Sequence, residues 1–92
     1  MNAQNVANKL RLAGIHAIVT GEMQEECDAE ITLLPLPNGE QMGVQVSDDG
    51  ALIVNTYRGE HTDNFTARHH GVTWSIAGLI RLIETVRSSA AK

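Results

Sequence analysis

The spacing between apolar residues changes twice along this chain, and this pattern constrains the possible folds more than any other feature of the sequence. Near both ends, apolar residues recur every three or four positions, as in an amphipathic helix. Between the ends they are β-branched or alternate with polar residues, which is typical of strands. The 92 residues suffice for one domain. We therefore expect a single α+β domain over residues 1–92, with a helix at each end.

The first helix is predicted over residues 2–13. Asn2 or Asn5 can cap its start, because an asparagine oxygen accepts a hydrogen bond from a free backbone amide. Gly14 suits the left-handed position after its end. Thr73 is predicted to cap the second helix, which is followed by a frayed tail. The apolar stripe of the second helix consists of Ile76, Leu79, Ile80, Ile83 and Val86.

Four strands are predicted between the helices, at residues 15–20, 29–36, 40–46 and 51–57. Turn residues at 37–39 and 47–50 join the last three strands as hairpins. Residues 58–71 are polar and irregular, so they are predicted to form a long loop.

The predicted order is α-β-β-β-β-α, a four-stranded antiparallel sheet with two helices on one face, forming a two-layer sandwich. The helix-facing residues are predicted to be Ile31, Leu33, Met42, Val44, Val46, Leu52 and Val54. The uncovered face is predicted to carry His16, Ile18, Thr32, Leu34, Gln41, Gln45, Ile53, Asn55 and Tyr57. Such a mixture is typical of a binding or dimer surface, and also of a solvated sheet.

Composition and motifs exclude several classes of function. The net charge of −4 disfavours general nucleic-acid binding, which depends on Lys and Arg. The single Cys27 cannot support a disulfide framework, and adjacent Glu26 and Asp28 disfavour its thiolate. No phosphate-loop or hydrolase motif is present, so we expect no enzymatic activity and no cofactor. The N-terminus lacks a signal pattern, which predicts a cytoplasmic protein without a membrane partner.

A metal site is the alternative hypothesis for the predicted loop. His61, Asp63, His69 and His70 supply the donor types that zinc and similar ions prefer. Their spacing matches no defined zinc motif, so no metal is assigned.

The most basic local region brackets the same loop. It consists of Tyr57, Arg58, Arg68, His69 and His70. Arg and Tyr often anchor protein interfaces, and Arg also binds phosphates and carboxylates. We predict that the domain binds another macromolecule and that these five residues form the contact.

The element order resembles that of double-stranded RNA-binding domains. Those domains need a lysine-rich start to their second helix, whereas this chain has Val72-Thr73-Trp74-Ser75 there. In length, acidic balance and lack of catalytic motifs, the whole chain resembles phage-encoded anti-CRISPR proteins, with no residue-level correspondence. That resemblance implies an inhibitor that binds a host protein or ribonucleoprotein complex and blocks target-DNA recognition. The basic region bracketing the loop predicts a local contact with RNA within such a complex. The alternatives are a small metal-binding enzyme or sensor, and a homodimer formed through the uncovered sheet face.

Overall fold

The computed structural model describes residues 2–23, 28–58 and 68–90. It confirms the α+β class and corrects the strand count from four to five. The elements in chain order are α1 (Ala3–Leu12), β1 (Ala17–Gly21), β2 (Ala29–Leu33), β3 (Gln41–Val46), β4 (Leu52–Tyr57), β5 (Arg68–Thr73) and α2 (Ile76–Ala90).

Both ends of α1 follow the prediction. Asn2 caps the helix, its side-chain oxygen accepting a hydrogen bond from the Asn5 amide at 2.9 Å. Gly14 has a φ of +85°, and its amide donates to the Arg11 carbonyl at 2.9 Å. The Ile15 amide donates to the Leu10 carbonyl, also at 2.9 Å. This pair of bonds is a Schellman motif, which satisfies carbonyls that the helix leaves free.

The sheet is an antiparallel meander in the order β1-β2-β3-β4-β5. Strands β3 and β4 pair without interruption from Gln41 opposite Tyr57 to Val46 opposite Leu52. The register shifts within the β1–β2 pair and within the β4–β5 pair. Because neighbouring strands are antiparallel, the C-terminal ends of β2 and β4 lie at the same edge as the N-terminal ends of β1, β3 and β5.

Both helices contact the same face of the sheet and also contact each other. All seven sheet residues predicted to face the helices are buried. Leu79 and Ile83 of α2 and Leu10 of α1 complete this aliphatic core, each at most 1% exposed. Within the described residues both helices therefore lie on one face of the sheet, and neither of them covers the other face.

Strand β5 replaces the end of the predicted loop. Its sequence, Arg68-His69-His70-Gly71-Val72-Thr73, lacks the apolar alternation by which a strand is recognised, because few of its side chains enter the core. The space beside Gly71 is filled by Leu82, whose methyl would lie 3.2 Å from a Cβ at that position. β5 therefore has no side chain at Gly71, the position against which Leu82 of α2 packs.

The start of α2 also differs from the prediction. Ser75, and not Thr73, caps the helix, because its hydroxyl accepts from the Gly78 amide at 3.0 Å. Thr73 is the last residue of β5, and its hydroxyl accepts from the Ser75 amide at 3.4 Å. The helix continues to Ala90, beyond the point where a frayed tail was predicted.

Candidate binding surface and cleft

The uncovered side of the sheet, here called the open face, carries side chains from all five strands. Its partly or largely exposed apolar residues are Ile18 on β1, Ile53 on β4 and Val72 on β5. Ile53 and Val72 are direct cross-strand partners, so their side chains are neighbours. The remaining residues of the face are mainly amides, hydroxyls and one phenol.

A first row of hydrogen-bonded side chains crosses the open face from the start of β2 to β5. The Gln45 amide donates to Asp28 Oδ2 at 3.1 Å, and the Asn55 amide donates to Gln45 Oε1 at 3.0 Å. His69 Nδ1 completes the row by donating to Asn55 Oδ1. Asp28 Oδ2 accepts a further bond from the Ser47 hydroxyl at 3.0 Å. These five residues are called the long row.

A second, shorter row joins Thr20, Thr32 and Tyr57. The two threonine hydroxyls are 2.9 Å apart, and the Tyr57 hydroxyl is hydrogen-bonded to Thr32. Tyr57 reaches across β3 because Gly43 has no side chain there; a Cβ on Gly43 would lie 3.7 Å from Tyr57 Cε1. Burial raises the pKa of Tyr57, and the Glu30 carboxylate raises it further against the opposing effect of Thr32. The phenol is therefore protonated at neutral pH.

The two rows fix the positions of most polar groups on the open face. Side chains held by neighbours lose less conformational freedom when a partner covers them. Their polar atoms also retain hydrogen bonds when water is excluded. The open face is thus a preorganised surface that a partner can cover at low cost.

Charge is segregated between the two ends of the sheet. Arg11 donates to the Ala17 carbonyl at 2.7 Å and Arg87 to the Leu34 carbonyl at 3.5 Å, which places both where β1 starts and β2 finishes. Arg58 and Arg68 lie at this same end, because Arg68 pairs with Thr56 near the end of β4. We call these four arginines and Lys9, which is in the last turn of α1, the basic end.

The opposite end of the sheet is acidic. The exposed carboxylates there are Glu22, which follows β1, and Asp48 and Asp49 in the β3–β4 turn. Asp28, which precedes β2, adds a fourth. One carboxylate, Glu40, lies at the basic end, just before β3. The described domain is therefore electrically asymmetric along the strand direction, although its sequence is acidic overall.

The structure separates the five predicted partner-binding residues. Tyr57 and His69 lie on the open face, and exposed Arg58 follows the end of β4. Arg68 and His70 instead line a cleft of about 280 Å³ on the helix side of the sheet, together with Thr56. The prediction that all five bind a partner stands as a prediction, but they do not form one continuous surface.

Thr56 and His70 form the main polar contact in this cleft. His70 Nε2 is 2.7 Å from the hydroxyl of Thr56, which is 1% exposed. Burial lowers the pKa of His70, and the Arg68 and His69 charges lower it further, opposed by Glu40. A hydroxyl bonded to an imidazole can form a nucleophile–base pair. This hydroxyl is too buried for a substrate carbonyl to reach without movement of its surroundings.

The predicted metal set is not assembled by the described residues. His69 lies on the open face and His70 lies in the cleft, so their rings are on opposite sides of the sheet. His61 and Asp63 lie outside the described residues, as does Cys27. Within residues 2–23, 28–58 and 68–90, no group of three potential ligands is close enough to hold a metal ion.

Comparison of the chain with protein-family models, curated proteins and solved structures found no match. In the parts of the chain that the structure describes, neither helix is long and apolar enough to cross a membrane.

Sequence reasoning missed several members of these surfaces. The predicted open face does not include Thr20, at the end of the first predicted strand, and Asp28 was considered only as a neighbour of Cys27. Val72 was overlooked because β5 was not predicted. The sequence did contain one usable signal, since Asp28 directly precedes the alternating residues of β2. A carboxylate at that point can cap a row of cross-strand amides.

Proposed function

We propose that this domain is a non-enzymatic binding protein whose open face docks on the surface of another protein. The observation that supports the proposal best is the long row of hydrogen-bonded side chains, which lies beside the apolar pair of half-buried Ile53 and exposed Val72. Protein interfaces combine apolar contacts of this kind with satisfied polar groups and aromatic residues such as Tyr57.

The charge pattern favours a protein over a nucleic acid as the occupant of the open face. The long row begins at the Asp28 carboxylate, and Glu30 lies on the next strand position of the same face. No Lys or Arg lies on β1, β2, β3 or β4, so the centre of the face lacks the cations that a phosphate backbone requires. The cations at the basic end instead orient the domain toward a partner that is acidic on the corresponding side.

The size of the open face indicates how far the contact extends. Five strands spaced about 4.8 Å apart and five to six residues long give a face of about 19 by 18 Å, or roughly 350 Å² in outline. A stable interface buries about 800 Å² on each partner. The partner therefore also contacts the margins of the sheet, where Arg58 and Trp74, which is 67% exposed, offer anchor side chains.

Site-specific photo-crosslinking in cells that produce the protein tests this proposal. A photoreactive phenylalanine analogue replaces Val72 on the open face or, as the matched control, exposed Glu84 on α2. We expect a discrete protein adduct from position 72 and none from position 84. Equal crosslinking from both positions, or no adduct from position 72, would contradict the proposal.

The nature of the adduct distinguishes the alternatives. An adduct with twice the mass of the chain would identify a homodimer and replace the proposed partner with a second copy. An adduct removed by nuclease would identify a nucleic acid and overturn the assignment to protein.

We further propose, from the whole-chain resemblance, that the partner is a protein of a CRISPR effector complex in the host cytoplasm. The acidic balance of the chain and its preorganised face are consistent with a stoichiometric inhibitor of this kind. Biolayer interferometry with immobilised effector–guide complexes tests the idea, with target-DNA binding as the second measurement. Retention of the protein and loss of DNA binding are expected, whereas undiminished DNA binding at saturating protein would refute it.

A further inference from the structure

The cleft on the helix side of the sheet contains two opposite charges that do not pair with each other. Both Glu40 and Arg68 line it. Met42, Thr56 and Arg68 lie in one row across the sheet, and Glu40 lies two residues before Met42. The Cα atoms of Glu40 and Arg68 are therefore separated by roughly 12 Å, from two strand spacings across the sheet and two residues along it. The Arg68 side chain has no hydrogen-bond partner among the described residues, and one Glu40 oxygen accepts from the Asn38 amide at 2.9 Å.

The rest of the cleft is a mixture of aliphatic and neutral polar groups. Leu36 is 5% exposed and Val86 is 6% exposed, and both line the cleft together with Leu82 of α2. The Thr56 and His70 pair lies on its sheet side. The volume of about 280 Å³ is just below the range of about 300–1,000 Å³ for sites that bind drug-sized molecules. A ligand of this cleft must therefore be small.

We propose that this cleft binds a small zwitterion, an α-amino acid with an aliphatic side chain. The Arg68 guanidinium binds the ligand carboxylate, for which its planar donor geometry is suited. The Glu40 carboxylate binds the ligand ammonium, and the side chain packs on Leu36, Leu82 and Val86. A singly charged ligand would leave one of the two protein charges unmatched, so both ligand charges are required.

A second hollow in the structure lacks this pairing of charges. It has a volume of about 520 Å³ and lies beside the start of α1, where Val19 and Met23 line it with Glu22 and Asp48. Its described lining contains carboxylates and no cationic side chain. The smaller cleft is therefore the better candidate for a specific ligand.

Nuclear magnetic resonance titration of the intact protein with L-leucine tests the proposal. Two single-charge analogues are titrated in parallel: 4-methylpentanoate, which lacks the ammonium, and 3-methylbutylamine, which lacks the carboxylate. We expect L-leucine to shift the methyl resonances of Leu36, Leu82 and Val86 saturably, with an affinity about ten- to hundredfold higher than either analogue. The melting temperature should rise by about 7 °C at a free L-leucine concentration ten times the dissociation constant.

Charge-neutralising variants make the assignment specific. R68Q and E40Q should each weaken L-leucine binding by about tenfold or more, because each removes one charge-assisted contact. R81Q and E84Q remove exposed charges on α2 outside the cleft and should bind as the wild type does. Absence of methyl shifts at about 10 mM L-leucine, well above a millimolar dissociation constant, would overturn the proposal. Unchanged affinity in R68Q, or equal binding of the analogues, would overturn it as well.

The L-leucine titration reports on the cleft alone, and of the residues varied in its test only Arg68 also belongs to the basic end. The cleft and the open face lie on opposite sides of the sheet, so a failure at one site leaves the result at the other unaffected.

Discussion

Replacing Asn55 by alanine should weaken partner binding much more than it weakens the fold. Asn55 holds the middle of the long row, donating to Gln45 and accepting from His69. Each such bond contributes about 1 kcal/mol in a folded protein. In the free domain His69 is exposed and Gln45 is half-buried, so water replaces much of the loss. We therefore expect Asn55→Ala to lower the free energy of unfolding by about 1 kcal/mol in total.

The cost in the complex is larger because water can no longer reach these groups. A partner covering the open face would leave the Gln45 oxygen and the His69 N–H without their bonds. Each unsatisfied buried polar group costs about 1–3 kcal/mol, so either of the two alone corresponds to a loss of affinity of about 5- to 150-fold.

Urea denaturation and a binding titration measure the two costs on the same variant. The unfolding midpoint should fall by about 0.3–1 M urea with an unchanged slope. Gln4→Ala is the matched control, because it removes one exposed amide bond, to Asn8 on α1, away from the open face. If Asn55→Ala lost more than about 3 kcal/mol of stability and kept full affinity, the long row would be a structural feature only and the reasoning would be refuted.

Three further predictions concern the fold. Leu79→Ala should lower the free energy of unfolding by about 2–5 kcal/mol, because the side chain is fully buried. Chemical denaturation measures this loss, and a loss below about 1 kcal/mol would contradict the prediction. Gly78→Ala should destabilise the domain by about 1 kcal/mol although alanine is the better helix former, because its Cβ would collide with the Thr73 hydroxyl. Adding Thr73→Ala to Gly78→Ala removes that hydroxyl and should restore the melting temperature. A higher melting temperature in Gly78→Ala alone would contradict the expected collision. The pKa of His70 in the folded protein lies below its ordinary value of 6.5. As the pH falls, His70 therefore takes up a proton at a higher pH in the unfolded chain than in the folded one. Stability should therefore fall as the pH drops through 6.5, and His70→Gln should flatten that part of a urea-midpoint profile measured from pH 8 to 5.

Much of the fold could be predicted because local signals agreed with long-range packing. Asn2 and Gly14 mark both ends of α1, and turn glycines such as Gly39 and Gly50 adopt the positive φ that hairpin turns require. The alternation of Met42 with its neighbours fixed the buried side of β3. At such positions one residue type satisfies both the backbone and the core, so the sequence is unambiguous.

Strand β5 could not be predicted because the usual signal depends on burial. Its helix-facing positions hold Arg68, His70 and Gly71, where the cleft and Leu82 take the place of core side chains. The pairing of β5 with β4 therefore depends on backbone hydrogen bonds and on packing against α2. Neither of these requires apolar residues at alternate positions of the sequence.

The candidate surfaces were predictable only in part for the same reason. Tyr57 and His69 were selected as binding residues from their chemistry, but their roles depend on partners that lie on other strands. The long row requires the β2–β3, β3–β4 and β4–β5 registers together. No local pattern reveals that Asp28 and His69 belong to one row.

The affinity of Ile53→Arg for the crosslinked partner is the most direct test of the claim that the open face binds a protein. Ile53 is half-buried on the open face, beside Val72, and is not part of the core. Glu84→Arg on α2 provides the control for an added arginine elsewhere, and both variants are first checked for native unfolding. The account predicts at least about a tenfold loss of affinity for Ile53→Arg and wild-type affinity for Glu84→Arg. Wild-type affinity in a folded Ile53→Arg variant would contradict it.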